Sequence, residues 1–105
     1  MRYRLSELAE QDLLEIWLYV AADATVERAD RLLEAIGDRF ELLAENPRMG
    51  RRRPEFGSDV RSFVVENYVI YYRPDKELLI ARVLHGSRDQ AAAWQESGEG
   101  DESER

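Results

Sequence analysis

The sequence predicts an α+β domain in which a helical hairpin packs on an antiparallel sheet, and three observations lead there. Two successive segments, residues 6–22 and 25–45, repeat apolar side chains at helical spacing with only a short break between them. Residues 47–58 then interrupt every periodicity with Pro47, Gly50, Pro54 and Gly57. Beyond that break lie three runs of β-branched and aromatic residues of strand length, divided by turn formers.

In order along the chain, Tyr3 and Leu5 alternate with Arg2 and Arg4, as in a short strand with one face on the core. Ser6 can cap the helix that follows. Ala9, Leu13, Ile16, Trp17 and Val20 form its apolar stripe, and Glu7 and Glu10 sit in the first turn, where the helix dipole favours acids. This helix is expected to end near Ala22. Thr25 can cap a second helix, with Ala29, Leu32, Leu33, Ile36, Phe40, Leu43 and Ala44 facing inward and Asn46-Pro47 stopping it. The arginine triplet Arg51-Arg52-Arg53 is expected in the following loop. The three strands begin at Val60, Tyr68 and Leu78, with Glu66-Asn67 and Pro74-Asp75-Lys76-Glu77 as hairpin turns and Asn67 taking any positive φ. A short helix is expected between Arg88 and Gln95.

A chain of 105 residues supports one modest core. Residues 1–95 are therefore expected to form a single domain, and the acidic, low-complexity residues 96–105 a disordered tail. The formal net charge is -7, yet it is unevenly placed. Residues 1–46 carry 5 bases and 11 acids, residues 47–95 carry 9 bases and 6 acids, and the last ten carry 1 base and 5 acids. The triplet thus belongs to the basic middle of an acidic protein.

With no cysteine and one histidine, the sequence excludes disulfide frameworks, thiolate metal sites and multi-histidine zinc sites. No cofactor is expected. There is no GxGxxG, Walker, HExxH or GxSxG motif, and no apolar run resembling a signal peptide or membrane span, so a cytoplasmic protein is expected. His85, closing the last strand, is suited either to acid-base work or to a structural hydrogen bond at the turn. Arg61 and Arg82 can converge to stabilise phosphate charge, or can pair with Glu66 or Asp89. Trp17 fits core or interface. Trp94 fits either an anchor onto the sheet or a partner contact. Three arginines alone do not establish nucleic-acid binding, which needs several phosphate contacts and a favourable overall field.

Four motifs in combination carry a resemblance: LS-xx-A-xx-DL from Leu5, P-x-MGR-x-R from Pro47, VR-x-F from Val60 before Y-x-I-x-Y-R from Tyr68, and RVLHG-x-RD from Arg82. Together, over residues 3 to about 89, they resemble the ParE branch of the RelE/ParE toxins of bacterial type II toxin-antitoxin modules. The resemblance implies the same helical hairpin on a sheet, and a partner. A ParD-like antitoxin would fold along the toxin, with Leu13, Leu14 and Trp17 as candidate contacts, and DNA would be reached only through that antitoxin.

ParE-like relatives are associated with inhibition of DNA gyrase, whereas RelE-like and YoeB-like relatives cleave messenger RNA on the ribosome. The nuclease branch typically uses a C-terminal tyrosine, and no tyrosine follows Tyr72 here. The resemblance therefore implies a non-enzymatic gyrase inhibitor, with Arg51, Arg52, Arg53, Arg88 and Trp94 as candidate target contacts. The alternative is an endoribonuclease using Arg61, Arg82 and His85, and a third reading is a non-toxic operon co-regulator.

Overall fold

Ser6 and Thr25 start the two helices as their side chains predict. Each hydroxyl accepts the backbone N–H three residues ahead, from Ala9 and Arg28, satisfying a donor that the helix itself leaves unpaired. In the computed structural model, which describes residues 1–88 and Trp94, helix α1 spans Glu7–Asp23 and α2 spans Val26–Glu45. The short connection folds them into a hairpin, and Trp17 Nε1 donates to Asp30 Oδ1 at 2.8 Å to tie its two arms.

Five strands form one sheet: β1 (Tyr3–Leu5), β2 (Arg51–Arg52), β3 (Arg61–Val65), β4 (Tyr68–Pro74) and β5 (Leu78–His85), in the order β1-β5-β4-β3-β2. The meander β3-β4-β5 is antiparallel as expected. The sheet as a whole is mixed, because β1 runs parallel to β5. A strand entering beside β5 can lead directly into α1 over the same sheet. Ser6 fixes that entry, its N–H donating to Ile80 O at 3.0 Å and its hydroxyl to Ala81 O at 2.7 Å.

The principal core lies between the hairpin and the sheet. Ile36, Phe40 and Leu43 of α2 meet Ile70, Tyr72, Leu78 and Ile80. Of the α2 stripe only Leu33 is less than fully buried. The stripe of α1 is displaced: Ala9, Asp12 and Ile16 are its buried residues, while Leu13 and Val20 pack at the margin. On the opposite sheet face, a second cluster joins Phe56, Val60, Tyr71, Ala81, Leu84 and Trp94. A buried charge is costly unless it is paired, which makes Asp12 of α1 a residue to account for.

Three local expectations change. Arg51-Arg52 is a short edge strand rather than loop, because Arg51 pairs with Ser62 and Arg52 with Arg61. Glu66, not Asn67, takes the positive φ of the β3-β4 turn, at 53°. Tyr3 stays partly exposed, its ring 5.5 Å from that of Phe40, since β1 is at the sheet edge. Of the expected C-terminal helix only Arg88 and Trp94 are among the described residues, Trp94 being helical; the rest of it and the expected acidic tail lie outside them.

Candidate functional site

Arg82 is held by the fold rather than offered to a ligand. Its Nε and Nη2 each reach one Asp12 carboxylate oxygen at 2.8 Å, and Asp12 Oδ2 also accepts the Val83 N–H at 3.0 Å. Both side chains are buried, so the forked guanidinium is matched by a carboxylate in the low-dielectric interior. Among the described residues its carboxylate partner is Asp12 rather than Glu66, and Asp89 lies outside the described residues. Sequence reasoning missed it because Asp12 is one acid among many on α1. A signal existed: Asp12 lies three residues after Ala9 and four before Ile16, within the apolar stripe.

Arg61 is also engaged locally, its Nη1 donating to the carbonyls of Arg48 at 3.2 Å and Gly50 at 2.9 Å. Tyr72 holds the same turn from beneath. Its hydroxyl accepts the Gly50 N–H at 2.8 Å and donates to Pro47 O at 2.9 Å. A Cβ at Gly50 would collide with the Tyr72 hydroxyl and lie 2.8 Å from Ser62 O, so only glycine fits. Burial raises the Tyr72 pKa above its ordinary value, partly opposed by the Gly50 hydrogen bond and Arg61.

The three arginines of the triplet separate into two kinds. Arg53 is half-buried, with Nε 2.9 Å from Glu55 Oε2, Nη1 3.3 Å from Ser62 Oγ, and its guanidinium 4.9 Å above the Phe56 ring. Glu55 has a lowered pKa, chiefly through a backbone hydrogen bond and then through Arg53. Arg51 and Arg52 are exposed on β2. Trp94 is buried against Phe56 and Tyr71, at ring distances of 5.5 and 5.8 Å, which is the placement of an anchor.

His85 lies at the end of β5 with its ring edge-on to Tyr68 at 5.2 Å, and its Nδ1 accepts the Ser87 N–H at 3.0 Å. A groove of about 380 Å³ beside it brings Glu15, Tyr19, Tyr68 and Arg88 together between α1 and β5. Arg61 does not belong to this group. It stands opposite Tyr72, whereas His85 stands opposite Tyr68, four residues along β4 and about 13 Å away along the strand. The Arg61, Arg82 and His85 constellation does not assemble: one residue is at the far end of the sheet and another is sequestered by Asp12.

The remaining candidates lie on α1. Leu14 and Leu18 are 59% and 53% exposed on successive turns, and Tyr19 beside them is 64% exposed. Leu13 and Trp17 are half-buried, so their contact area is shared with the fold. An amphipathic partner helix needs such an apolar strip.

Comparison with known proteins accounts for these features. The family model described as the ParE toxin of the type II toxin-antitoxin system parDE matches residues 3–90. The chain belongs to the ParE toxin family. A toxin named ParE1 from Caulobacter vibrioides is 33% identical over 90 residues, covering 86% of this chain and 94% of that protein. A ParE1 toxin from Mycobacterium tuberculosis is 31% identical over 90 residues, covering 84% and 92%. A solved structure titled as a chromosomal ParDE system from P. aeruginosa superposes with a TM-score of 0.70 at 23% identity, covering 81% of this chain and 95% of that one. The ParE motifs seen in the sequence coincide with the locks described above: Ser6 and Asp12 in the first, Gly50 and Arg53 in the second, Tyr72 in the third, Arg82 in the last.

No helix among the described residues is long and apolar enough to cross a membrane.

Proposed function

We propose that this ParE-family toxin acts in the cytoplasm by binding DNA gyrase and is neutralised by a ParD-like antitoxin that covers the apolar strip of α1. The observation that carries the reading is the fate of the candidate nuclease residues. Arg82 is consumed by Asp12, and Arg61 and His85 are at opposite ends of the sheet, so a base and the cations needed to stabilise a cleaved phosphate do not face one another. What the surface offers instead is binding area. Leu14 and Leu18 present apolar contacts for the antitoxin. Arg51 and Arg52 on the edge strand, with Arg88 at the other end, supply charges for the target, while Arg53 and Trp94 hold the basic edge in shape.

The deciding experiment is a gyrase supercoiling assay with purified toxin. Supercoiling is expected to fall with toxin and recover with stoichiometric antitoxin. Undiminished supercoiling at large excess of folded toxin rejects the gyrase reading. Messenger RNA cleavage in a translation extract that disappears in His85→Ala would replace it with the endoribonuclease.

A further inference from the structure

At the β2 end of the sheet, a cleft of about 720 Å³ is lined by Arg48, Arg52 and Arg61 together with Ser58 and Asp59. The strand register sets two of these cations against each other, because Arg52 stands directly opposite Arg61. Like charges so placed oppose strand pairing, and none of the three arginines is ion-paired to a described residue. Arg61 is held through Nη1, which donates to the Arg48 and Gly50 carbonyls at 3.2 and 2.9 Å and leaves Nε and Nη2 without a described partner. The guanidinium is thereby positioned without being neutralised. Asp59, the one acid lining the cleft, likewise forms no ion pair with a described residue. It takes a φ of 63° inside the turn of residues 57–60, where the Ser58 and Asp59 N–H groups have no described backbone acceptor.

We propose that this cleft binds a small phosphate monoester that also carries a hydroxyl group, the chemistry shared by sugar phosphates and mononucleotides. A carboxylate is planar and is satisfied by one guanidinium fork, whereas a phosphate monoester presents three acceptor oxygens and is shared among several donors. Three arginines, the Ser58 hydroxyl and the two turn amides supply such a donor set. Asp59 selects the rest of the ligand. Its ionised carboxylate only accepts, so it repels a bare anion and favours one whose own hydroxyl donates to it. The volume of the cleft falls within the roughly 300–1,000 Å³ of small-molecule sites. A nucleic-acid strand is disfavoured, because a net charge of -7 repels a polyanion more strongly than a single phosphate. The site stands apart from the gyrase reading, since it needs nothing but the toxin.

The test is an amide-shift titration of the full chain with ribose phosphate, AMP, inorganic phosphate, glutarate and a single-stranded oligoribonucleotide. At low ionic strength, ribose phosphate is expected to shift Arg52, Ser58 and Asp59 saturably with a Kd below about 1 mM, leaving Leu14 and Leu18 unmoved. The double variant Arg48→Gln/Arg52→Gln, with its folding confirmed by amide dispersion, should weaken that binding at least about ten-fold. Asp59→Asn keeps a residue that tolerates positive φ but removes the charge. It should bind inorganic phosphate at least about three-fold more tightly than the unsubstituted chain does, and its preference for ribose phosphate over inorganic phosphate should shrink. Shifts no larger at the cleft than on α1, glutarate bound as tightly as ribose phosphate, or an affinity indifferent to the loss of both arginines overturns the proposal. A preference unchanged in Asp59→Asn overturns the hydroxyl assignment. Equal binding of AMP and ribose phosphate supports a site that reads sugar and phosphate alone, and tighter binding of AMP supports a mononucleotide. Tighter binding of the oligoribonucleotide than of AMP, compared per phosphate, assigns the cleft to nucleic acid and overturns the small-ligand reading.

Discussion

Asp12 and Arg82, 70 residues apart in sequence, meet through two hydrogen bonds of 2.8 Å in the interior between α1 and β5. A third bond, from the Val83 N–H, uses the same carboxylate to fix the strand backbone. The pair joins the first and last motifs of the chain. Its geometry makes α1 orientation dependent on β5, and hence sets where Leu14 and Leu18 emerge.

Removing one partner of this pair should be severe. Asp12→Ala leaves a buried guanidinium without its carboxylate and is expected to cost about 3–5 kcal/mol, a large share of a small domain's stability. Arg82→Ala should do the same. The double replacement Asp12→Leu/Arg82→Met, which removes both charges and keeps volume, should recover most of the loss. Urea midpoints for the four proteins check this, and a double variant no more stable than the singles would refute the interpretation.

The turn before β2 is held by the Tyr72 hydroxyl from beneath and by Arg61 through the Arg48 and Gly50 carbonyls. Tyr72→Phe strands the Gly50 N–H and the Pro47 carbonyl and should destabilise by about 1–3 kcal/mol. Gly50→Ala should cost more, because its methyl meets the Tyr72 ring at 2.7 Å and the Ser62 carbonyl backbone at 2.8 Å, and the latter cannot swing aside. The same urea titrations measure both, and equal stability of Gly50→Ala and the unsubstituted chain would contradict the close approach.

Capping, helix stops and meander turns were legible because each depends on residues near in sequence: Ser6 on Ala9, Thr25 on Arg28, Asn46 on Pro47. The features that escaped depend on distant partners. A two-residue strand has no periodicity to read, so β2 becomes visible only when β3 lies beside it. Asp12 looks like surface charge until β5 delivers Arg82. Arg61 and His85 appear as joint candidates in sequence, and only the strand register separates them. Of the triplet, the stacking of Arg53 on Phe56 is likewise a contact that spacing does not announce.

Alkaline pH should loosen the fold through three tyrosines. Tyr68, Tyr71 and Tyr72 all have pKa values raised from the ordinary 10.0, with burial the leading cause in each. Below about pH 10 both folded and unfolded chains keep these protons and the stability is fully present. Above that, the unfolded chain ionises first, and stability is lost as pH rises toward and through the raised folded values. Urea midpoints should therefore fall steeply above about pH 10, with Tyr72→Phe showing a shallower fall from its lower starting point. A midpoint insensitive to pH in that range would show that the buried phenols do not govern the transition.

On the proposed reading, substitutions in the exposed strip on α1 should separate binding from folding. Leu14 and Leu18 are more than half exposed, so Leu14→Glu or Leu18→Glu should change stability by no more than about 0.5 kcal/mol. If an antitoxin helix covers them, each change places a charge in a desolvated contact and should weaken antitoxin binding at least about ten-fold, or about 1.4 kcal/mol. Trp17→Ala behaves differently. It removes the Nε1 bond to Asp30 and half-buried packing between the helices, so it should lower stability and binding together. Calorimetric titration with the cognate antitoxin, paired with urea midpoints, distinguishes the two patterns. Unchanged antitoxin affinity in both leucine variants would place the antitoxin on another face.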